Sequence, residues 1–135
     1  MSFDPNTDVA YQTYLNFSSV LDGNEREKLD EFLVRHYCQQ ATAGAALSDA
    51  DLVGTIGQYK NLVSDPFNGD NDANYKAWKQ LLNGLSGSNA DLALQVFIEY
   101  FAFQASQGAT VSSSQFQTVA IPAIKASVLS GQRVF

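Results

Sequence analysis

The chain has 135 residues, a length that favours a single domain with a sizeable hydrophobic core. Its formal net charge is −6, and its eight basic side chains are scattered, which argues against nucleic-acid and anionic-membrane surfaces because both need clustered Lys and Arg. The most apolar window, residues 92–103, includes Gln95 and Glu99 and is far shorter than the roughly 20 residues of a membrane span.

Helix-start signals recur along the chain, and Gly-rich or acidic stretches separate the segments that follow them. The capping pattern occurs at Asn24, Ser48, Ser88 and Ser112, each three positions before an acidic residue or Gln. The strict alternation of a half-buried strand is not found. We therefore predict an all-α, single compact domain over 1–135 with flexible or extended ends at 1–7 and 132–135. The six predicted helices cover residues 8–21, 24–43, 49–64, 71–83, 89–107 and 113–130.

The second predicted helix carries His36, the only histidine of the chain. One histidine cannot supply the multi-histidine ligand sets of zinc and di-iron sites. His36 lies on the apolar face of its helix, with Gln40 one turn later. We predict a structural histidine that bonds to Gln40, a carbonyl or a carboxylate, because buried polar groups are nearly always paired. The alternative is a proton-handling group or a ligand for a tetrapyrrole.

Two local features concern backbone geometry. Gly54 and Gly57 in the third predicted helix lower helix propensity and are expected to let a neighbouring helix approach closely. Pro122 in the sixth predicted helix should either kink that helix or restart it as a first-turn residue.

The segment before the fourth predicted helix carries Asn68, Asp70 and Asp72 at the alternate spacing of a calcium loop. Ala73 stands where such a loop needs Gly, and Lys79 stands where it needs a bidentate Glu. We therefore interpret the segment as a turn with Asx caps that leads into the next helix, and we predict no metal and no cofactor.

The fifth predicted helix is almost wholly apolar, and only Gln95, Glu99 and Ser106 form a narrow polar stripe. A helix that is apolar nearly all round must be buried on most sides, so we place it at the centre of the domain or at a subunit interface. We expect Glu99 to mark the solvent-facing strip of this helix. The alternative is a buried carboxylate paired with Lys125 or Arg133.

The sequence contains no phosphate loop and no nucleotide-binding glycine pattern, and its acidic residues lie mainly at helix starts and loops. We therefore predict a non-enzymatic interaction or assembly protein that self-associates, or docks into a larger complex, through its apolar C-terminal third. The candidate interface residues are Leu94, Phe97, Ile98, Phe101, Phe116, Ile124 and Leu129.

The alternative function is the binding of a small ligand or cofactor in an aromatic-lined pocket between helices. The chain is rich in aromatic residues, with nine Phe, six Tyr and one Trp. The single cysteine, Cys38, excludes an internal disulfide and favours a reducing, cytoplasmic location. The candidate pocket walls are Tyr11, Tyr14, Phe97, Tyr100 and Phe103.

Overall fold

The computed structural model describes residues 2–60 and 67–135, except for the side chain of Lys60. The predicted all-α fold is confirmed: helices account for the regular structure of the described residues, which otherwise contain only an isolated antiparallel bridge between Ala46 and Thr110. Across the same residues, no helix combines the length and hydropathy that a membrane-spanning segment requires. The helices are α1 (Val9–Ser18), α2 (Gly23–Ala43), α3 (Asp49–Lys60), α4 (Ala73–Asn83), α5 (Gly87–Ser106), α6 (Ser113–Gln115) and α7 (Ile121–Ser130).

Capping side chains account for several helix starts. The Asp22 carboxylate accepts the Glu25 backbone N–H at 2.8 Å and caps α2, two residues before the predicted cap at Asn24. Ser112 and Gln115 form the capping box that the sequence predicts for the sixth helix. Each such cap satisfies backbone donors that have no partner within the helix.

The sixth predicted helix is continuous over 113–130 but is not regular, because a π-helical segment (Phe116–Ala120) joins α6 to α7. The Ile121 N–H donates to the Phe116 carbonyl five residues earlier, which is the π-helical spacing. Pro122 lies in the first turn of α7, where its missing N–H leaves no bond unmade. Pro122 is therefore a first-turn residue, as in one of the two predicted outcomes, although the chain passes from the π-helical segment into α7 without a break.

Helix α5 packs against α1, α2, α3 and α7. Aromatic rings form the middle of the core: the Phe97 ring lies 4.9 Å from that of Trp78 on α4 and 4.6 Å from that of Phe101, measured between centroids. Phe116, in the π-helical segment, extends this cluster and is itself fully buried. The aromatic residues of the C-terminal third are therefore used largely inside the domain.

The two ends of the described chain lie together and have no helical structure at residues 2–8 and 131–135. The Phe3 N–H donates to the Phe135 carbonyl at 2.8 Å, and the two rings lie 5.6 Å apart. The Phe135 ring also packs edge-on against Tyr100 of α5. Phe3 is buried, so this terminal segment contributes to the core.

In α3, the expectation for Gly54 and Gly57 is wrong. Apart from the helix's own backbone and the adjacent residues, no described atom lies within 4 Å of a Cβ added at either position, so no neighbouring helix of the described chain approaches these glycines closely. The predicted end of the third helix, at residues 61–64, lies outside the described residues.

Candidate functional site

A cleft of about 420 Å³ opens between α1, α2 and α5, and we call it the α1–α2–α5 cleft. Helical spacing explains its lining: positions three and four apart share a helix face, as Tyr11 and Tyr14 do on α1 and Arg26 and Asp30 do on α2. Leu94 contributes from α5. The polar and aromatic lining side chains include Tyr11, Tyr14, Arg26, Glu27, Asp30 and Asp91.

Asp30 is the most buried carboxylate of the cleft, with 8% of the residue exposed. The Tyr14 O–H donates to Asp30 Oδ1. Burial raises the pKa of Asp30 from 3.8 to about 6, while the hydrogen bond from Tyr14 and the charge of Arg26 oppose the rise. Burial and the neighbouring Asp30 also raise the pKa of Tyr14. Near neutral pH the cleft therefore holds an ionised carboxylate bonded to a neutral phenol.

Among the described residues, Arg26 is the one cationic side chain that lines the cleft. Its Nη2 donates to the Ser18 carbonyl at 3.2 Å, at the last turn of α1, where a positive charge is favourable. Within the described part of the chain, Arg26 forms no ion pair with a carboxylate, and Asp30 Oδ2 accepts no hydrogen bond. One oxygen of the buried carboxylate is thus free to accept a donor in the cleft.

Glu99 does not face solvent, so the expectation that it marks the solvent-facing strip of α5 is wrong for this residue. Glu99 is 2% exposed and forms a two-point ion pair with Arg133, whose Nε lies 2.6 Å from Oε1 and whose Nη2 lies 2.8 Å from Oε2. The Gln95 amide, at 3.4 Å, approaches Oε2. The alternative prediction paired Glu99 with Lys125 or Arg133, and its partner in the structure is Arg133.

The ion pair adjoins the cleft through Tyr11. Burial and the charge of Glu99 raise the pKa of Tyr11 to about 12, and the charge of Arg133 opposes the rise. The last member of the polar stripe, Ser106, donates to Asp8 Oδ2 at 2.9 Å and accepts the Ala10 N–H at 2.9 Å. Within the stripe, the C-terminal segment therefore covers Glu99 and the start of α1 bonds to Ser106, while Gln95 and Ser106 stay exposed.

His36 joins α2 to α3. Its Nε2 lies 2.8 Å from Asp51 Oδ2, 3.2 Å from the Thr55 hydroxyl and 3.4 Å from the Gln40 amide nitrogen. The side chain is 14% exposed. These are the partners expected of a structural histidine, and they fit that interpretation better than ligand binding.

The three weak calcium candidates lie in the turn that leads into α4, and two of them act as caps. Asn68 Oδ1 accepts the Asp70 N–H at 3.1 Å, and Asp72 Oδ1 accepts the Tyr75 N–H at 2.8 Å to begin α4. Asp72 Oδ2 accepts the Thr42 hydroxyl at 3.1 Å. The residues that the structure describes contain no group of three or more side chains arranged to hold a metal ion.

Most of the candidate interface residues lie in the core of the same chain. Leu94 is half-buried in the cleft wall, and Leu129 is 61% exposed. An interface in this conformation would therefore use other side chains than the large aromatic ones. The remaining five candidates are at most 3% exposed: Phe97, Ile98, Phe101, Phe116 and Ile124.

Sequence reasoning missed Asp30. A signal was present, because Asp30 precedes Leu33, Val34 and Tyr37 at the i+3, i+4 and i+7 spacing of one helix face, and all three are buried. Asp30 also lies in the charged run of residues 24–31, however, and such a run is typical of a solvated helix start. A carboxylate on the same helix face as three apolar residues predicts a buried acid that requires a hydrogen-bond donor.

Comparison of this chain with protein-family models, with curated proteins and with solved structures gives no match.

Proposed function

We propose that the protein binds a small organic ligand in the α1–α2–α5 cleft and carries out no chemistry on it. The observation that carries this proposal is Asp30, a buried carboxylate with one oxygen bonded by Tyr14 and the other without a hydrogen bond in the described part of the chain. Asp30 Oδ2 is not among the buried polar atoms that lack a partner, so it is open to water from the cleft, and a ligand donor could replace that water.

The shape and lining of the cleft support the same proposal. Its volume of about 420 Å³ lies within the range of small-molecule sites, which are concave and combine apolar walls with a few convergent polar groups. Leu15 and Leu94 supply apolar wall, and the Tyr11 and Tyr14 rings lie 5.9 Å apart at 47°. These two tyrosines belong to the aromatic walls predicted for a ligand pocket.

A fragment screen followed by NMR tests the proposal. We expect some fragments to shift the backbone amide signals of cleft residues such as Tyr14, Asp30 and Leu94, with little change elsewhere. Leu94→Trp would fill the cleft and abolish these shifts, whereas Leu129→Trp, on an exposed position outside the cleft, would leave them unchanged. A library without any fragment that shifts cleft signals selectively would contradict the proposal.

A second candidate function is docking to another copy of this chain or to a different protein. It is favoured by apolar side chains that stay exposed in the C-terminal third, with Leu129 at 61% and Val119 at 53%. Self-association through this region would appear in light scattering as a concentration-dependent dimer. Leu129→Lys should abolish that dimer, and Val20→Lys, at an exposed valine beyond α1, should not. A monomer at every concentration would rule out self-association.

A further inference from the structure

We infer that the α1–α2–α5 cleft selects an organic cation, a ligand with an ammonium group attached to an aromatic or aliphatic body. This inference rests on the proposed ligand-binding function and specifies its ligand class. It follows from the placement of Asp30, which lines the cleft, is 8% exposed and has one carboxylate oxygen without a hydrogen bond in the described part of the chain. An ammonium N–H donor at that oxygen would form a charge-assisted hydrogen bond, which is stronger than a neutral one.

The other charges of the cleft act in the same direction. Glu27 and Asp91 add two exposed carboxylates to Asp30, and Arg26 is the single opposing cation. Arg26 already donates to the Ser18 carbonyl, and no ion pair links it to Asp30 among the described residues. A cationic ligand would therefore enter a region of negative potential, whereas an anionic ligand would be repelled by all three carboxylates.

The walls suit the body of such a ligand. Tyr11 and Tyr14 line the cleft, and a tyrosine ring can attract a cation through its ring electrons, an interaction that strengthens when the cation is removed from water. Leu15 and Leu94 offer apolar contact for the rest of the molecule. A neutral ligand would use the same walls but would leave the charge of Asp30 uncompensated.

Three probes of nearly equal size separate the contributions of charge and shape. NMR titrations of the full chain would use phenethylamine as the cation, 2-phenylethanol as the neutral analogue and 3-phenylpropanoate as the anion. We expect phenethylamine to bind at least about tenfold more tightly than the alcohol, and the propanoate to leave the cleft signals unchanged. Equal or tighter binding of the alcohol or the propanoate would overturn the inference while retaining the proposed function.

The pH dependence of binding tests the role of Asp30 in the unmodified protein. The titratable and charged groups that line the cleft with it are Tyr11, Tyr14, Arg26, Glu27 and Asp91, and of the carboxylates only Asp30 is buried. Since its pKa is raised to about 6, phenethylamine affinity should fall by up to about tenfold for each pH unit below that value, and 2-phenylethanol affinity should stay constant. A flat profile for phenethylamine would overturn the inference.

Matched variants complete the test. Asp30→Asn should remove the preference for phenethylamine over the alcohol, and Glu31→Gln, which removes one negative charge from the same helix outside the cleft, should keep it. If Asp30→Asn does not fold, the pH profile of the unmodified protein decides. If none of the three probes binds, the charge of the fragments that do bind tests the preference for cations. If neither probes nor fragments bind, the ligand-binding function itself is rejected.

Discussion

Asp30 shows at the scale of one residue how a buried carboxylate can oppose folding. Because burial raises its pKa to about 6, the folded protein holds this proton more tightly than the unfolded chain, where the pKa is near 3.8. The resulting stabilisation is complete below about pH 4 and is lost as the pH rises through about 6. A pKa that is about two higher in the folded than in the unfolded chain corresponds to about 3 kcal/mol of the free energy of unfolding. A group retained at this expense is more typical of a site than of a core.

The substitution Asp30→Asn tests this linkage. The Asn carbonyl can still accept the Tyr14 O–H, but it carries no charge. We expect the variant to exceed the natural chain in free energy of unfolding by up to about 3 kcal/mol at about pH 7.5, and to match it at about pH 4. Urea denaturation at both pH values measures the difference. Asp70→Asn, at an exposed carboxylate in the turn before α4, serves as the control, and the same stability difference for Asp30→Asn at both pH values would contradict the linkage.

At the scale of elements, the sequence predicts what depends on local chemistry. Capping side chains such as Ser112 mark where helices begin, and apolar spacing marks their extent, so the six helices could be found without the structure. Apolar periodicity cannot reveal the π-helical segment at Phe116–Ala120. A π-helical turn holds one residue more than an α-helical turn, so it rotates the apolar face of the helix, but the amino-acid composition is the same in both. Apolar periodicity also cannot show that the C-terminal segment covers Glu99. It predicts which way a side chain points from its helix, but not which part of the chain packs against that side chain.

Substitution of glycine by alanine should have opposite effects on stability at Gly44, which follows α2, and at Gly54, which lies within α3. Gly44 ends α2 with φ of 65°, a left-handed conformation that costs an L-residue roughly 1–2 kcal/mol. Gly54 lies inside α3 with no atom within 4 Å of an added Cβ. We therefore expect Gly44→Ala to lower the free energy of unfolding by about 1 kcal/mol and Gly54→Ala to raise it by about 0.5–1 kcal/mol.

Thermal and urea denaturation of the two single variants, with the double variant as a check on additivity, measure these effects. Destabilisation by Gly54→Ala would mean that a neighbouring group approaches α3 after all.

At the scale of the whole molecule, the candidate site depends on contacts between distant parts of the chain. The cleft needs Tyr14 from α1, Asp30 from α2 and Leu94 from α5, and helix spacing within any one of these elements does not place the three together. The same holds for Glu99, whose partner Arg133 lies 34 positions later. The sequence identified Arg133 as one of two plausible cations only because the C-terminal third contains so few charges.

The Glu99–Arg133 pair predicts how the C-terminal segment contributes to stability. Arg133→Gln would leave the Glu99 carboxylate buried beside Gln95 without a cation, and removal of one partner of a buried pair typically costs about 3–5 kcal/mol. The Arg133 side chain itself is 22% exposed, so we expect a loss near the lower limit, about 3 kcal/mol. Adding Glu99→Gln should restore part of that loss, because the double variant buries no charge.

Urea denaturation of the natural chain, both single variants and the double variant closes a double-mutant cycle. Additive losses would show that the two side chains are not coupled, and the C-terminal segment would then be held by its aromatic contacts and its backbone hydrogen bonds. A coupling above about 1 kcal/mol would place Glu99 and Arg133 among the interactions that fix this segment across α5, beside Tyr11 and the cleft.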